Sequence, residues 1–451
     1  MSLSLPACIE TGAFARISDI DALHLFAATF TDELNHLKNA SPTVESSKSP
    51  VSPEVVWTPS QIIYGEDFTE VNRTLVSMLA VKWLLADEYE TFVHGQPAHN
   101  QLSRNSFDRL RRFVLAKTTS ADDAYAILVA LAIDDIGKDP HLTRSLEEEF
   151  AVHVQDHSEA VLYAAIAGSV SSLNSLPSEK QFAVLQNLEI GSRLNISQMV
   201  QAETAPASLT VLRNTASGND SQEEGFDIKV IVTILDVAGA AGHRDPRGCV
   251  VMTESVFEPY MGTITLLDEF RKSSISTPRD CYHRILSLRA DMLHRKGFDL
   301  LSPEQEEQRA LLRLFCMGRV ISEEKARLYQ HALGGLDDKR RVDLVSGLNV
   351  DGIDDGVAIL PYYAPGILAE ALRNTLDQSD ASVVRVLTAF MEFLARVFDG
   401  SKPQPGTPGG IIERDLSFAL ETVQSISYKE DPSILGRLEL KWKKDEQHDT
   451  M

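Results

Sequence analysis

A chain of 451 residues with formal net charge −22, 43% apolar and 7% aromatic content has the balance of a soluble globular protein, and its acidic surface disfavours general contact with phosphate backbones. That length exceeds one ordinary core, so two helical lobes or one large elaborated domain are expected. No apolar run is long enough to span a bilayer, the residues Met1 to Cys8 lack a basic segment ahead of an apolar one, and Cys8, Cys249, Cys281 and Cys316 include no close pair, which together point to a reduced, cytoplasmic, non-membrane chain.

In chain order, Ser41 to Pro53 is polar, proline-punctuated and without period. It reads as a disordered loop that closes an N-terminal segment over residues 1–53. Apolar residues recur with helical spacing from about Phe68 to Ala86, from Ser106 to Leu115 and from Ser120 to Ile133. Ser120 with Asp122 and Asp123 makes a helix start, where side-chain oxygens cap free N–H groups and acids suit the dipole. Beyond Pro140, helices are expected from Thr143 to His153, from Ser158 to Leu173 and from Pro177 toward Ile196. Thr215 to Gly225, rich in Ser, Gly, Asn and acids, reads as a loop, and Phe226 to Gly242 as a buried helix ending in small residues. These elements define a helical core over 54–275.

A C-terminal helical lobe over 276–400 follows. Its helices are expected from Asp280 to Lys296, Pro303 to Val320, Ser322 to Leu333, Lys339 to Ser346, Gly366 to Asp377 and Ala381 to Phe398, with Pro361-Tyr-Tyr-Ala-Pro365 as an interruption. Residues 401–451 supply a linker (Ser401 to Gly410), a last helix near Ile411 to Ser425 and a charged tail. The expected fold class is all-α.

The segment Ile133-Asp134-Asp135-Ile136-Gly137-Lys138-Asp139-Pro140 closes an apolar helix with two adjacent acids. Neighbouring helical residues point about 100° apart, so both acids face one pocket only if the helix ends there, and Gly137 with Pro140 supplies that ending. Such a pair holds a metal, binds a guanidinium or ammonium, or acts as a base; the alternative is a solvated helix end whose Lys138 pairs an acid. His157, Asp236 and His243 are the groups placed to share the pocket, and Glu254 and Glu258, four residues apart, add carboxylates if the chain folds back. Asp134, Asp135 and His157 are therefore the catalytic candidates, and Asp236, His243 and Glu254 the substrate-binding ones.

Other chemistry has less support. No nucleophile elbow or phosphate-binding glycine loop occurs, and Cys249 and Cys316 sit in apolar surroundings that suit inert thiols. Asp351 to Asp355 lacks the ligand pattern of a calcium loop. Basic residues cluster at Arg104, Arg109, Arg111, Arg112 and Lys117, at Lys339, Arg340 and Arg341, and at Lys441, Lys443 and Lys444; the acidic chain would meet RNA through one of these patches.

Ala132-Ile133-Asp134-Asp135-Ile136-Gly137-Lys138 resembles the His-Asp-Ile-Gly-Lys core of HD-domain enzymes, a helical superfamily of metal-dependent phosphohydrolases and di-iron oxygenases. The resemblance implies an HD-like helical core with additional C-terminal helices, in which Asp135, His157 and Asp236 would ligate a divalent metal or iron. Asp134 stands where that motif has His, and His94 and His99 are the upstream imidazoles available to replace it.

As a whole the chain is similar to fungal proteins of this length that include the arginine-containing cyclodipeptide synthases. Their Asp-Asp-x-x-Glu pattern matches Asp134 and Asp135 and departs at Lys138. This resemblance implies a cofactor-free enzyme that joins arginine to a second amino acid, both delivered as aminoacyl-tRNA, into a diketopiperazine. A planar arginine side chain suits a carboxylate pair, and Asp135 or His157 would deprotonate the attacking amine. The synthase is the favoured expectation, with the HD-type hydrolase or oxygenase and a non-catalytic helical scaffold as alternatives.

Overall fold

A computed structural model describes residues 4–40, 56–154, 156–214, 220–374 and 379–440. The segment Ser41 to Pro53 and the tail lysines Lys441, Lys443 and Lys444 lie outside the described residues. Described structure is mostly helical, with one pair of strands, as expected of an all-α protein. No helix among the described residues is long and apolar enough to cross a membrane.

The chain divides into two compact units, 1–195 with 215–260, and 196–214 with 261–451. The division at 260/261 falls ahead of the 275/276 boundary read from sequence, and residues 196–214 group with the second unit rather than with the helical core.

In the first unit the helix Thr69–Ala86 is buried from Thr74 to Leu84, and it packs against Asp220–Gly239 and Ala121–Ile133. Close approach has a local cause: a Cβ on Gly239 would lie 2.1 Å from Ser77 Oγ and 2.6 Å from the Arg73 carbonyl oxygen, so a side chain there would force the two helices apart. The helix Asp220–Gly239 begins earlier than its apolar pattern; of the loop expected over Thr215 to Gly225, residues 220–225 are helical and 215–219 lie outside the described residues. The helix expected from Ser158 to Leu173 is two, His157–Ile166 and Ser171–Asn174, because the chain turns at Gly168 with φ +73°, a conformation glycine adopts without strain. Pro140, expected to lie ahead of its helix, is the first residue of Pro140–Phe150, where its missing N–H costs nothing.

The second unit contains the helices Pro278–His294, Glu306–Met317, Glu323–Gly334, Asp338–Leu348, Ala364–Arg373 and Asp380–Val397. Its strands Asp355–Tyr362 and Thr407–Asp415 pair in parallel, with Ala358 opposite Ile411 and Leu360 opposite Glu413. Sequence reading missed both: the stretch from Ile411 is strand up to Asp415, and the rest of the expected helix is a single 3-10 turn, Ser417–Ala419, and a short helix, Leu420–Gln424. Thr407-Pro-Gly-Gly-Ile-Ile-Glu-Arg-Asp415 has no period-two alternation to announce a strand, and its partner lies far away in sequence. Buried Ala205, Val350, Ala358 and Leu360 form a small core under the first strand. Arg313, 1% exposed, donates to the carbonyl oxygens of Ala202 (3.0 Å), Thr204 (2.9 Å) and Leu348 (2.6 Å), fixing the 202–204 backbone inside the unit.

Candidate active site

The acid pair is delivered by a well-specified helix. Ser120 and Asp123 form a reciprocal capping box at the start of Ala121–Ile133, and every residue from Ala124 to Ile133 is buried. Asp134 ends that helix, a single turn Ile136–Lys138 follows, and Asp139 caps Pro140–Phe150 by accepting from His141 N at 2.9 Å. A Cβ on Gly137 would lie 2.0 Å from the His157 carbonyl oxygen. Only glycine lets the turn pack against the start of His157–Ile166, and this packing brings His157 Nε2 to 3.9 Å from Asp135 Oδ1.

Around Asp135 the first unit assembles a network of alternating charge. Lys138 Nζ lies 2.8 Å from Asp135 Oδ2 and 2.8 Å from Glu70 Oε2. Arg73, one turn beyond Glu70, donates to both Glu70 oxygens at 3.1 and 3.3 Å and reaches Asp236 Oδ1 at 3.9 Å. Asp134 Oδ1 faces Lys229 Nζ, also at 3.9 Å. Glu70 and Asp135 are buried and tightly bonded, whereas the side chains of Asp134 and Asp236 keep 28% and 36% exposure. The cluster thus has a closed half and an open half.

Electrostatics divide along the same line. Burial works against the Asp135 carboxylate, but Lys138, Arg73 and His157 outweigh it and hold Asp135 well below the usual carboxylate range. Asp236 keeps part of its side chain in solvent, yet the desolvation of its carboxylate by the surrounding protein pushes it up to about 6, with Arg73 opposing and the negative charges of Asp135 and Asp134 adding to the rise. Lys138 and Arg73 are held more firmly protonated, since Asp135, Asp236 and Glu70 outweigh the cost of burying their charges. Carboxylates pushed apart in this way can divide acid and base work between them.

The structure therefore brings Asp134, Asp135, His157 and Asp236 into one network. His243 lies past the end of Asp220–Gly239. It is nonetheless close enough to feel Arg73 and Glu70; burial, then Arg244 and Arg73, lower its proton affinity. Glu254 is committed elsewhere: its carboxylate accepts from Ser103 N at 2.8 Å and Ser106 Oγ at 2.7 Å, at the start of Arg104–Leu115. Glu258 pairs with Arg109. His94 acts on Asp245, and His99 stands in the short turn Ala98–Asn100. Glu70, Arg73 and Lys229 were not singled out by sequence, although Glu70 and Arg73, three apart at the head of an otherwise apolar helix, are a visible signal of buried charge.

Cations of the first basic cluster are largely met by acids. Arg104 pairs with Asp87 and Asp108, Arg109 with Glu258 and Lys117 with Asp227, while Arg111 donates to the Leu84 carbonyl. Lys339 pairs with Asp343. The four cysteines are free and buried.

Of the HD-type ligand set of Asp135, His157 and Asp236, Asp135 spends Oδ2 on the Lys138 ammonium and turns Oδ1 toward His157. No group of three or more His, Cys, Asp or Glu side chains suited to a metal occurs among the described residues. Over residues 23–435 the chain matches the model of a family of unknown function, DUF6829. No curated protein and no solved structure matches it.

Proposed function

The chain belongs to that family of unknown function, and from its site we propose that it is an acyl-transfer enzyme that takes an arginyl group and a second aminoacyl group, each from aminoacyl-tRNA, and joins them into a cyclic dipeptide. The observation that carries this reading is the open half of the network. Asp134 and Asp236 are partly exposed carboxylates whose nearest cations stand off at 3.9 Å, and their mutual repulsion contributes to the raised proton affinity of Asp236. A guanidinium placed between them would accept neither charge but donate to both, relieving that repulsion. The cation-recognising pair is thus Asp134 with Asp236, rather than Asp134 with Asp135, whose charge Lys138 already meets.

His157, with its side chain 37% exposed beside Asp135, is assigned the base. It takes a proton from the α-ammonium of one aminoacyl group; the freed amine attacks the ester carbonyl of the other, forming the amide and breaking the ester, and the proton goes to the departing 3′-oxygen of the tRNA. A second attack of the same kind, by the remaining amine on the remaining ester, closes the ring and releases the second tRNA. Asp135, held ionised, stabilises the imidazolium between steps.

Expression in a microbial host, followed by mass spectrometry of extracts, tests the reading. A new arginine-containing diketopiperazine is expected with the natural sequence and is lost in Asp236→Asn and His157→Gln variants that keep their helical circular dichroism. Soluble, folded protein with no such product overturns it and leaves the network as a scaffold feature.

A further inference from the structure

We propose that the second unit carries a separate binding site for a free α-amino acid, held as its zwitterion. The site does not rest on the activity proposed above and uses none of its residues. It is a cleft of about 310 Å³ lined by Asp280, His283, Arg284, Ser287, Pro303 and Glu304, the lower end of the size range of small-molecule pockets. Four of these residues follow the spacing i, i+3, i+4, i+7 on Pro278–His294 and so share one helix face. The segment carrying Pro303 and Glu304 forms the opposite wall.

Charge on this face is arranged in opposition. Asp280 and Arg284 are one helical turn, about 6 Å, apart along the axis, yet the guanidinium does not close on Asp280; the acid within ion-pair range of Arg284 among the described residues is Glu269, at 3.9 Å. Arg284 keeps 57% exposure, and its planar donors are available to a carboxylate. Across the cleft, Glu304 is held by a relay from the interior. Arg309 Nη1 lies 2.8 Å from His283 Nε2, and since arginine only donates, Nε2 accepts and Nδ1 carries the hydrogen. That hydrogen is directed to Glu304 Oε1 at 2.9 Å, which leaves the second oxygen of Glu304 open. His283 itself is buried and Arg309 is anchored in turn by Asn349.

A cation flanked by Asp280 on one side and Glu304 on the other matches a ligand with a carboxylate and an ammonium on one carbon. The carboxylate would bond the Arg284 guanidinium, and the ammonium Asp280 and the open oxygen of Glu304, with the side chain projecting toward Pro303 and solvent; the Ser287 hydroxyl, which donates to the His283 carbonyl oxygen at 2.9 Å, only lines the cleft. A simple anion would meet two carboxylates, and a simple cation would meet Arg284; each forfeits half of the site.

Isothermal titration of the full chain with L-leucine, N-acetyl-L-leucine and L-leucine amide tests this. Saturable binding of leucine is expected, weakened at least about tenfold when either charge of the ligand is blocked, the size of one lost charge-assisted contact. Arg284→Gln and Asp280→Asn, both at exposed positions that leave the fold intact, should weaken leucine by a similar factor. No saturable leucine binding, equal binding of leucine amide, or indifference to Arg284→Gln overturns the proposal.

Discussion

The ammonium of Lys138 lies 2.8 Å from Oδ2 of Asp135, three residues earlier in the chain. Because the same ammonium is also 2.8 Å from Glu70, a single cation bridges two carboxylates, one on Thr69–Ala86 and one in the turn after Ala121–Ile133, and Arg73 supplies the second positive charge. Charges taken out of water are tolerable only when paired in this way, and removal of one partner leaves the others exposed to the full cost of burial.

Lys138→Met should therefore destabilise the first unit by about 3 kcal/mol, the scale of an orphaned buried charge. Asp134→Asn, at a partly exposed residue whose cation stands at 3.9 Å, should cost under about 1 kcal/mol. Urea unfolding monitored by the fluorescence of buried Trp83 measures both, and equal effects would contradict the division into closed and open halves.

Asp236 gives the site a pH signature. Its carboxyl is raised from the ordinary value near 4 to about 6, so between these values the folded chain holds a proton that the unfolded chain has released, and stability falls as pH rises. Asp236→Asn removes this titration. The variant should gain on the natural sequence as pH rises from 4 to 6 and hold a constant advantage above, in urea titrations at stepped pH. A gap that narrows as pH rises would show the shift to have the opposite sign.

A second pH-dependent group lies in the second unit. Burial pushes Glu203 up to about 8, against the backbone N–H groups of Tyr363 and Ala364 that donate to it and with the help of Glu413. The natural chain should lose stability progressively from the ordinary glutamate value of about 4.3 up to about 8 and level off beyond. Glu203→Gln should flatten that slope. Parallel pH profiles for the two proteins would place the titration elsewhere.

Arg313 is expected to be irreplaceable. Three carbonyl oxygens on two segments depend on its planar donors, so Arg313→Leu should cost about 4 kcal/mol through buried carbonyls left without donors and a lost packing surface. Arg313→Lys should recover little, because one ammonium cannot span the same acceptors. Thermal unfolding of the two variants checks this, and full recovery by lysine would refute the geometric argument.

Much of the fold was legible from periodicity alone. Thr69–Ala86, Ala121–Ile133, Pro278–His294 and Asp380–Val397 all lie within a few residues of where apolar spacing and capping residues placed them, because a buried helical stripe and an N-cap are local properties of the chain. The placement of Asp134 and Asp135 at a helix end was local too: apolar residues run out at Ile133, and Gly137 and Pro140 forbid continuation.

Partnership among distant residues was not local. Nothing near Asp135 in sequence announces that Glu70 and Arg73 will face it, and nothing near Glu254 announces that its oxygens will be taken by Ser103 and Ser106. The parallel pairing of Asp355–Tyr362 with Thr407–Asp415 is of the same kind, since each strand's hydrogen bonds are completed only by the other. Sequence by itself determined the helical class and the helix-end carboxylates, through contacts within a few turns. Tertiary structure alone decided which carboxylates are spent on Lys138 and which stay open, because the charge state of a buried acid depends on what the folded chain packs around it.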